Sequence, residues 1–174
     1  MNLENKKCLI AYFSRKGNNY VSGKTVSLPV GNTEVIAKMI QEMIGGDLFQ
    51  IETVTPYPKD YTETTEVAQE ELSDNARPEL TNRVENMEAY DVVFLGYPNW
   101  WGTMPMAVFS FLESYDFSEK TIVPYCTHEG SGLGHSEKDI SRLCHSSKVL
   151  KGLEIRGSRV GAAKDSLAAW IGVK

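Results

Sequence analysis

The chain has 174 residues, 41% of them hydrophobic, and carries a formal net charge of −5. That is enough apolar material for one sizeable core, so a single domain over residues 1–174 is expected, and the acidic balance argues against nucleic acid, whose phosphates need a basic face. No apolar run is long enough to cross a bilayer, residues 1–7 hold no signal-peptide core, and three irregularly spaced cysteines offer no disulfide framework, so a cytoplasmic protein without a membrane partner is expected.

Residues 7–13 are almost continuously apolar from Cys8 to Phe13 and read as a strand buried on both faces. In the stretch 16–30, Val26, Leu28 and Val30 alternate beyond a Ser22-Gly23 turn, which predicts a small hairpin. A helix is predicted over 33–44, where Ile36, Met39, Ile40, Met43 and Ile44 form one stripe that Gly45-Gly46 terminates. A second strand is predicted over 48–54. Residues 56–80 exceed what one crossover requires. They enter through Pro56-Tyr57-Pro58 and place Tyr61, Thr65, Ala68 and Leu72 at helical spacing, with Glu63, Glu66, Glu70 and Glu71 largely opposite. An extra amphipathic helix is expected there, its acidic face read as a solvated surface in preference to a docking face. A weaker helix is expected near 82–87.

The remaining elements alternate: a third strand over 91–96, a helix over 106–112 behind Pro105, a fourth strand over 121–126, a helix over 136–144, a fifth strand over 149–155 despite Lys151 and Gly152, and a final helix over 164–171. Strand and helix in this succession indicate an α/β fold, a parallel sheet covered on both faces.

Chemistry concentrates in the loops that follow the strands. After the first strand come Ser14 and Arg15, and the next helix opens on Gly31-Asn32-Thr33. A helix N-terminus presents unsatisfied N–H groups and the positive end of a dipole, which suit a phosphate. Asn32 or Thr33 could equally be a plain helix cap. Gly17-Asn18 is a rival for the phosphate position, but only Gly31-Asn32 is followed by a helix. After the third strand, Pro98-Asn99-Trp100-Trp101-Gly102-Thr103 sets two adjacent indoles in a turn, where they suit a flat aromatic ring or, alternatively, cap the core. After the fourth strand, Thr127-His128-Glu129-Gly130-Ser131-Gly132 is glycine-rich, yet His135 stands where a dinucleotide fingerprint needs its last glycine. His135 and His145 are separated by ten residues of mostly helical pattern, roughly 15 Å of rise, so no metal site is expected. No side chain stands out as a nucleophile or general base, and no catalytic residue is assigned.

Taken together, the segment from Ile10 to Arg15, Gly31-Asn32-Thr33 with Ala37 and Ile40 behind it, the run from Gly96 to Gly102, and the run from Cys126 to Gly132 closely resemble the flavodoxin family over essentially the whole chain. The resemblance implies a three-layer sandwich with a five-stranded parallel sheet of order 2-1-3-4-5 and non-covalently bound FMN. It makes Ser14, Arg15, Gly31, Asn32 and Thr33 phosphate-loop candidates. Pro98, Asn99, Trp100, Trp101, Gly102 and Thr103, with Thr127, His128, Glu129, Gly130, Ser131 and Gly132, become ring-loop candidates. The stretches 16–30 and 56–80 are insertions, the first of them in the phosphate loop. An electron carrier working with redox partner proteins is the leading expectation. An FMN-dependent NAD(P)H reductase of quinones or similar small acceptors is the alternative, and the oligomeric state is open.

Overall fold

The computed structural model describes residues 1–173; Lys174, the last residue of the expected domain, lies outside the described residues. The central strand β1 (Cys8–Tyr12) is buried along its whole length, as its unbroken apolar run requires. It pairs in parallel with β4 (Asp47–Gln50) on one side and with β5 (Val92–Pro98) on the other. β6 (Thr121–His128) pairs with β5, and β7 (Lys148–Val149) and β8 (Leu153–Arg156) both pair with β6. The sheet therefore runs β4-β1-β5-β6-β7/β8, which is the order 2-1-3-4-5 in main strands, all parallel.

Alternation along each strand sends side chains to two cores. Leu9, Ala11, Val93, Leu95, Tyr97, Ile122 and Cys126 face the layer built by α3 (Met106–Glu113) and α4 (Ser136–Leu143). Ile10, Tyr12, Val92, Phe94, Val123 and Tyr125 face α1 (Asn32–Ile44) and α5 (Lys164–Ile171). The 16–30 stretch forms the expected hairpin, β2 (Gly17–Val21) against β3 (Lys24–Leu28), turning at Ser22 and Gly23, whose φ angles of 50° and 82° suit a tight hairpin turn. α2 (Tyr61–Ser73) is the expected extra helix; the Asp60 side chain accepts the Glu63 N–H and caps it. Among the described residues, no helix is long and apolar enough to cross a membrane.

Three departures from the sequence expectation have physical causes. The second strand stops at Gln50 because residues 52–54 leave the sheet: Val54 N–H donates to Glu79 O and Thr81 N–H to Glu52 O, both at 2.9 Å. The segment near 82–87 forms no α-helix; a single 3-10 turn, Met87–Ala89, leads into β5 instead. The fifth strand is split in two. Leu150 N–H still reaches Ile122 O at 2.9 Å, but Pro124 in β6 has no N–H to offer, and Gly152 N–H turns to Glu137 Oε1 at 2.7 Å.

Phe94 sits at the middle of the sheet with no solvent exposure and meets Trp170 edge-on, centroids 6.0 Å apart. Truncation by Phe94→Ala is expected to cost about 3–5 kcal/mol, measured by urea unfolding, with little collapse of the cavity because both neighbouring strands are fixed by their ladders.

Candidate functional site

The sheet order reverses between β1 and β5, so the loops after these strands diverge and leave a crevice at the carboxyl edge. One wall of it is the start of α1. Gly31 precedes the helix without a side-chain cap of its own, and the Ser14 hydroxyl supplies the cap by accepting the Glu34 N–H at 3.1 Å. This contact requires glycine at 31: a Cβ there would lie 2.2 Å from Ser14 Oγ and 2.5 Å from Arg15 O. With Glu34 capped by Ser14 and Val35 bonded to Gly31 O, the N–H groups of Asn32 and Thr33 are the two left at the helix start without an intrahelical acceptor. Thr33 is anchored from below, its hydroxyl 2.8 Å from that of Thr127 and its carbonyl accepting from Tyr125 OH at 3.4 Å.

The opposite wall is the loop after β5. Trp100 is half-buried, with Phe13 and Tyr57 both edge-on to it at centroid distances of 5.2 and 5.0 Å. Tyr57 is itself fixed by donating to Glu71 Oε2 at 2.7 Å, and burial, with that carboxylate beside it, pushes the phenol well above its ordinary pKa. Trp101 and Gly102 have φ angles of 56° and 87°. A bulky residue in the left-handed region costs about 1–2 kcal/mol, so the turn holds strain at the crevice. Trp101 is 49% exposed, and its indole N–H donates to Thr65 O of α2 at 2.9 Å. Asn99 joins two loops, accepting from Gly102 N–H at 3.0 Å and donating to Gly132 O at 2.8 Å.

Two adjoining cavities result, of about 110 and 350 Å³, sharing Arg15, Asn19, Tyr61, Asn99 and Trp100 as walls. The smaller lies at the start of α1, lined by Asn32, Thr33, Pro98, Thr127, His128 and Glu129. The larger extends past Trp101, Gly102 and Ser131 beneath α2. Their combined size falls within roughly the 300–1,000 Å³ of small-molecule sites.

Of the remaining candidates, Ser14, Gly31, Thr103, Gly130 and Gly132 line neither cavity. Ser14 and Gly31 hold the turn from behind. Thr103 is buried and donates to Asp139 Oδ2 at 2.7 Å, facing α4 and away from the crevice. Gly130 and Gly132, with φ of 145° and 61°, shape the loop after β6. Arg15 borders both cavities, but its N–H groups donate to the carbonyls of Asn18, Pro58, Lys59 and Asp60 at 2.9–3.4 Å. Through these bonds Arg15 joins the hairpin base to the entry of α2. Burial pulls its pKa below the ordinary guanidinium value, Asp60 opposing, and it stays charged.

Sequence reasoning missed Asn19, Tyr20, Tyr61 and Gly157 in the smaller cavity and Thr64, Thr65 and Ala68 in the larger. Helical spacing did mark Tyr61, Thr65 and Ala68 as one face; nothing local says that this face roofs a cavity.

An open parallel sheet with an anion-ready helix start and an aromatic wall at its switch point defines a nucleotide-binding type of α/β protein. The flavodoxin family profile matches residues 7–173, and the chain belongs to that family. Flavodoxin 1 of Shigella flexneri is 26% identical over 137 residues, which is 76% of this chain and 60% of that protein; the chain thus spans less than two thirds of that relative's length. A candidate flavoprotein structure from Bacteroides uniformis superposes with a TM-score of 0.76 at 26% identity, covering 96% of this chain and 98% of that one. A flavoprotein from Lactobacillus acidophilus, solved in complex with FMN, shares the fold at 18% identity with a TM-score of 0.63, covering 94% of this chain and 99% of that one.

Because Gly31 packs against Ser14 and a rigid carbonyl, Gly31→Ala is expected to destabilise the protein by about 1–3 kcal/mol in urea unfolding, against a few tenths for an alanine at exposed Gly161, which has open space around it.

Proposed function

We propose that this protein binds FMN non-covalently in the two adjoining cavities and serves as an electron carrier. The observation that carries this reading is the juxtaposition, within one crevice, of the uncapped Asn32 and Thr33 N–H groups with the Trp100 wall. Membership of the flavodoxin family and the FMN held by the Lactobacillus acidophilus relative support it. The residues present fit the group. A helix start with two free N–H donors suits a phosphate monoester, and oriented amides stabilise such an anion without a free lysine. The larger cavity, bounded by Trp100, Trp101, Tyr61 and Ala68, suits a planar ring.

Bound FMN supplies the electron chemistry itself; the protein supplies binding, orientation and dielectric. Asn32 and Thr33 hold the phosphate end through their backbone N–H groups, with Thr127 fixing Thr33 from below. Phe13 and Tyr57 lock the Trp100 indole, so the ring wall is set before any ligand arrives. Trp101, tied to Thr65, closes the side toward α2 and excludes water. His128 lines the smaller cavity and accepts the Gly130 N–H on Nδ1 at 2.9 Å, which fixes its ring there.

Purified protein saturated with FMN is expected to be yellow and to quench flavin fluorescence on titration. Anaerobic NADPH alone should leave it oxidised, since a carrier awaits a reductase; rapid bleaching would instead assign it to the NAD(P)H reductases. Asn32→Pro, which removes one of the two free N–H groups at the first helical position, where proline is tolerated, should weaken FMN about tenfold or more while riboflavin, which has no phosphate, changes by less than about threefold. Equal losses for the two ligands would overturn the phosphate assignment.

A further inference from the structure

The β2–β3 hairpin is tied down at both of its ends. At its base, Arg15 Nε donates to Asn18 O at 2.9 Å, and Tyr61 N–H donates to Asn18 Oδ1 at 3.2 Å. Tyr20 stacks on Tyr61 with centroids 6.0 Å apart and planes 24° apart. At its tip, the Ser22 N–H donates to Glu129 Oε2 at 3.2 Å. The other oxygen of Glu129 accepts the Ser158 N–H at 2.9 Å. One carboxylate thus joins the hairpin turn, the loop after β6 and the turn after β8. The hairpin crosses from the start of α2 to the far side of the smaller cavity.

That far side is tight. A Cβ on Gly157 would lie 2.5 Å from both Asn32 Nδ2 and Glu129 Oε1, so even a methyl group has no room there. The smaller cavity, about 110 Å³, opens into the larger one and is bounded at this end by Glu129 and Gly157.

We propose that the hairpin, clasped by Glu129, is a specificity determinant of the site: it admits a flavin whose chain ends in a phosphate monoester and excludes a flavin dinucleotide. The inference rests on the flavin reading above. A monoester ends in oxygens that the start of α1 can satisfy, and nothing need pass beyond them. A dinucleotide continues through a second phosphate, and at this end of the cavity that group meets Glu129, whose two oxygens already accept the Ser22 and Ser158 N–H groups. Seating it there sets a like charge beside the carboxylate and costs at least one of those hydrogen bonds, with no room at Gly157 to relieve the crowding. The discrimination is therefore built from repulsive elements placed against the larger ligand.

The test titrates the apoprotein in parallel with FMN, FAD and riboflavin, reading flavin fluorescence. Three proteins are compared: the wild type, Glu129→Gln, and a variant in which residues 19–26 are replaced by Gly-Gly. That replacement joins Asn18 to Ser27, which already face each other in the hairpin. The wild type should bind FMN about 100-fold or more tightly than FAD. The shortened variant should reduce that ratio about tenfold or more, chiefly by gaining affinity for FAD. Glu129→Gln, which retains only one acceptor on its side chain, should reduce it about threefold or more and speed tryptic cleavage after the exposed Lys24 by about fivefold. If the shortened variant does not fold, the Glu129→Gln protein decides by both readouts. Wild-type affinities for FMN and FAD within about tenfold of each other, or a ratio unmoved by every folded variant, would overturn the proposal while leaving the flavin reading intact. Folded wild type that takes up none of the three ligands would overturn both.

Discussion

Everything at the carboxyl edge depends on how β1 meets α1. The Ser14 hydroxyl caps the helix from outside, at Glu34, and Gly31 makes that approach possible by presenting no side chain. Were the cap supplied by residue 31 itself, as it is at most helix starts, the capping group would stand where a ligand must enter. Supplied from the end of β1, it leaves the first two amides of the helix without an intrahelical acceptor beside the smaller cavity and ties their position to a strand buried along its whole length. The proposed anion site thus inherits the rigidity of the core. Tyr125 and Thr127 on β6 reinforce the arrangement from the second strand over, so that two strands and one helix hold Thr33 in place.

Against this fixed side stands a wall made of aromatic edges. Trp100 is clamped by Phe13 from β1 and Tyr57 from the entry to α2, and Trp101 is held in a costly backbone conformation by its bond to Thr65 and the Asn99 bridge. Strain of this kind persists only where the surroundings over-determine it. Here the surroundings are α2 and the loop after β6, so the 56–80 stretch helps hold this part of the crevice in shape. Arg15 makes the same point for the 16–30 hairpin, since four carbonyls from two segments converge on one guanidinium.

Much of this was legible in the sequence, and the limits have a common cause. The unbroken apolar run of β1, the stripe of α1, the hairpin turn at Ser22-Gly23 and the span of α5 are encoded by residues adjacent in the chain, and each was read from them. What escaped depends on residues far apart. The break between β7 and β8 is dictated by Pro124 on a neighbouring strand, and the early end of β4 by backbone pairing with 79–81. Tyr61 and Tyr20 stack across 41 residues of sequence, so neither carries a local sign of its partner. The carbonyl partners of Arg15 could not be read either, because they lie in a loop that no periodicity locates. The loops from Pro98 to Gly102 and from Thr127 to Ser131, most of whose residues line the two cavities, stood out because their composition is unusual where it stands.

The interrupted rim of the sheet has a bearing on how copies of this chain behave at high concentration. A parallel sheet ends in two strands whose outer amides and carbonyls invite another polypeptide to add itself. Here one border is the four-residue β4, and the other is divided into runs of two and four residues beside Lys148, Lys151 and Arg156. Neither border offers an uninterrupted template of the length that cross-strand polymerisation favours. Pro124, by denying its neighbour a ladder partner, thereby gives the molecule a safeguard against fibrillar association.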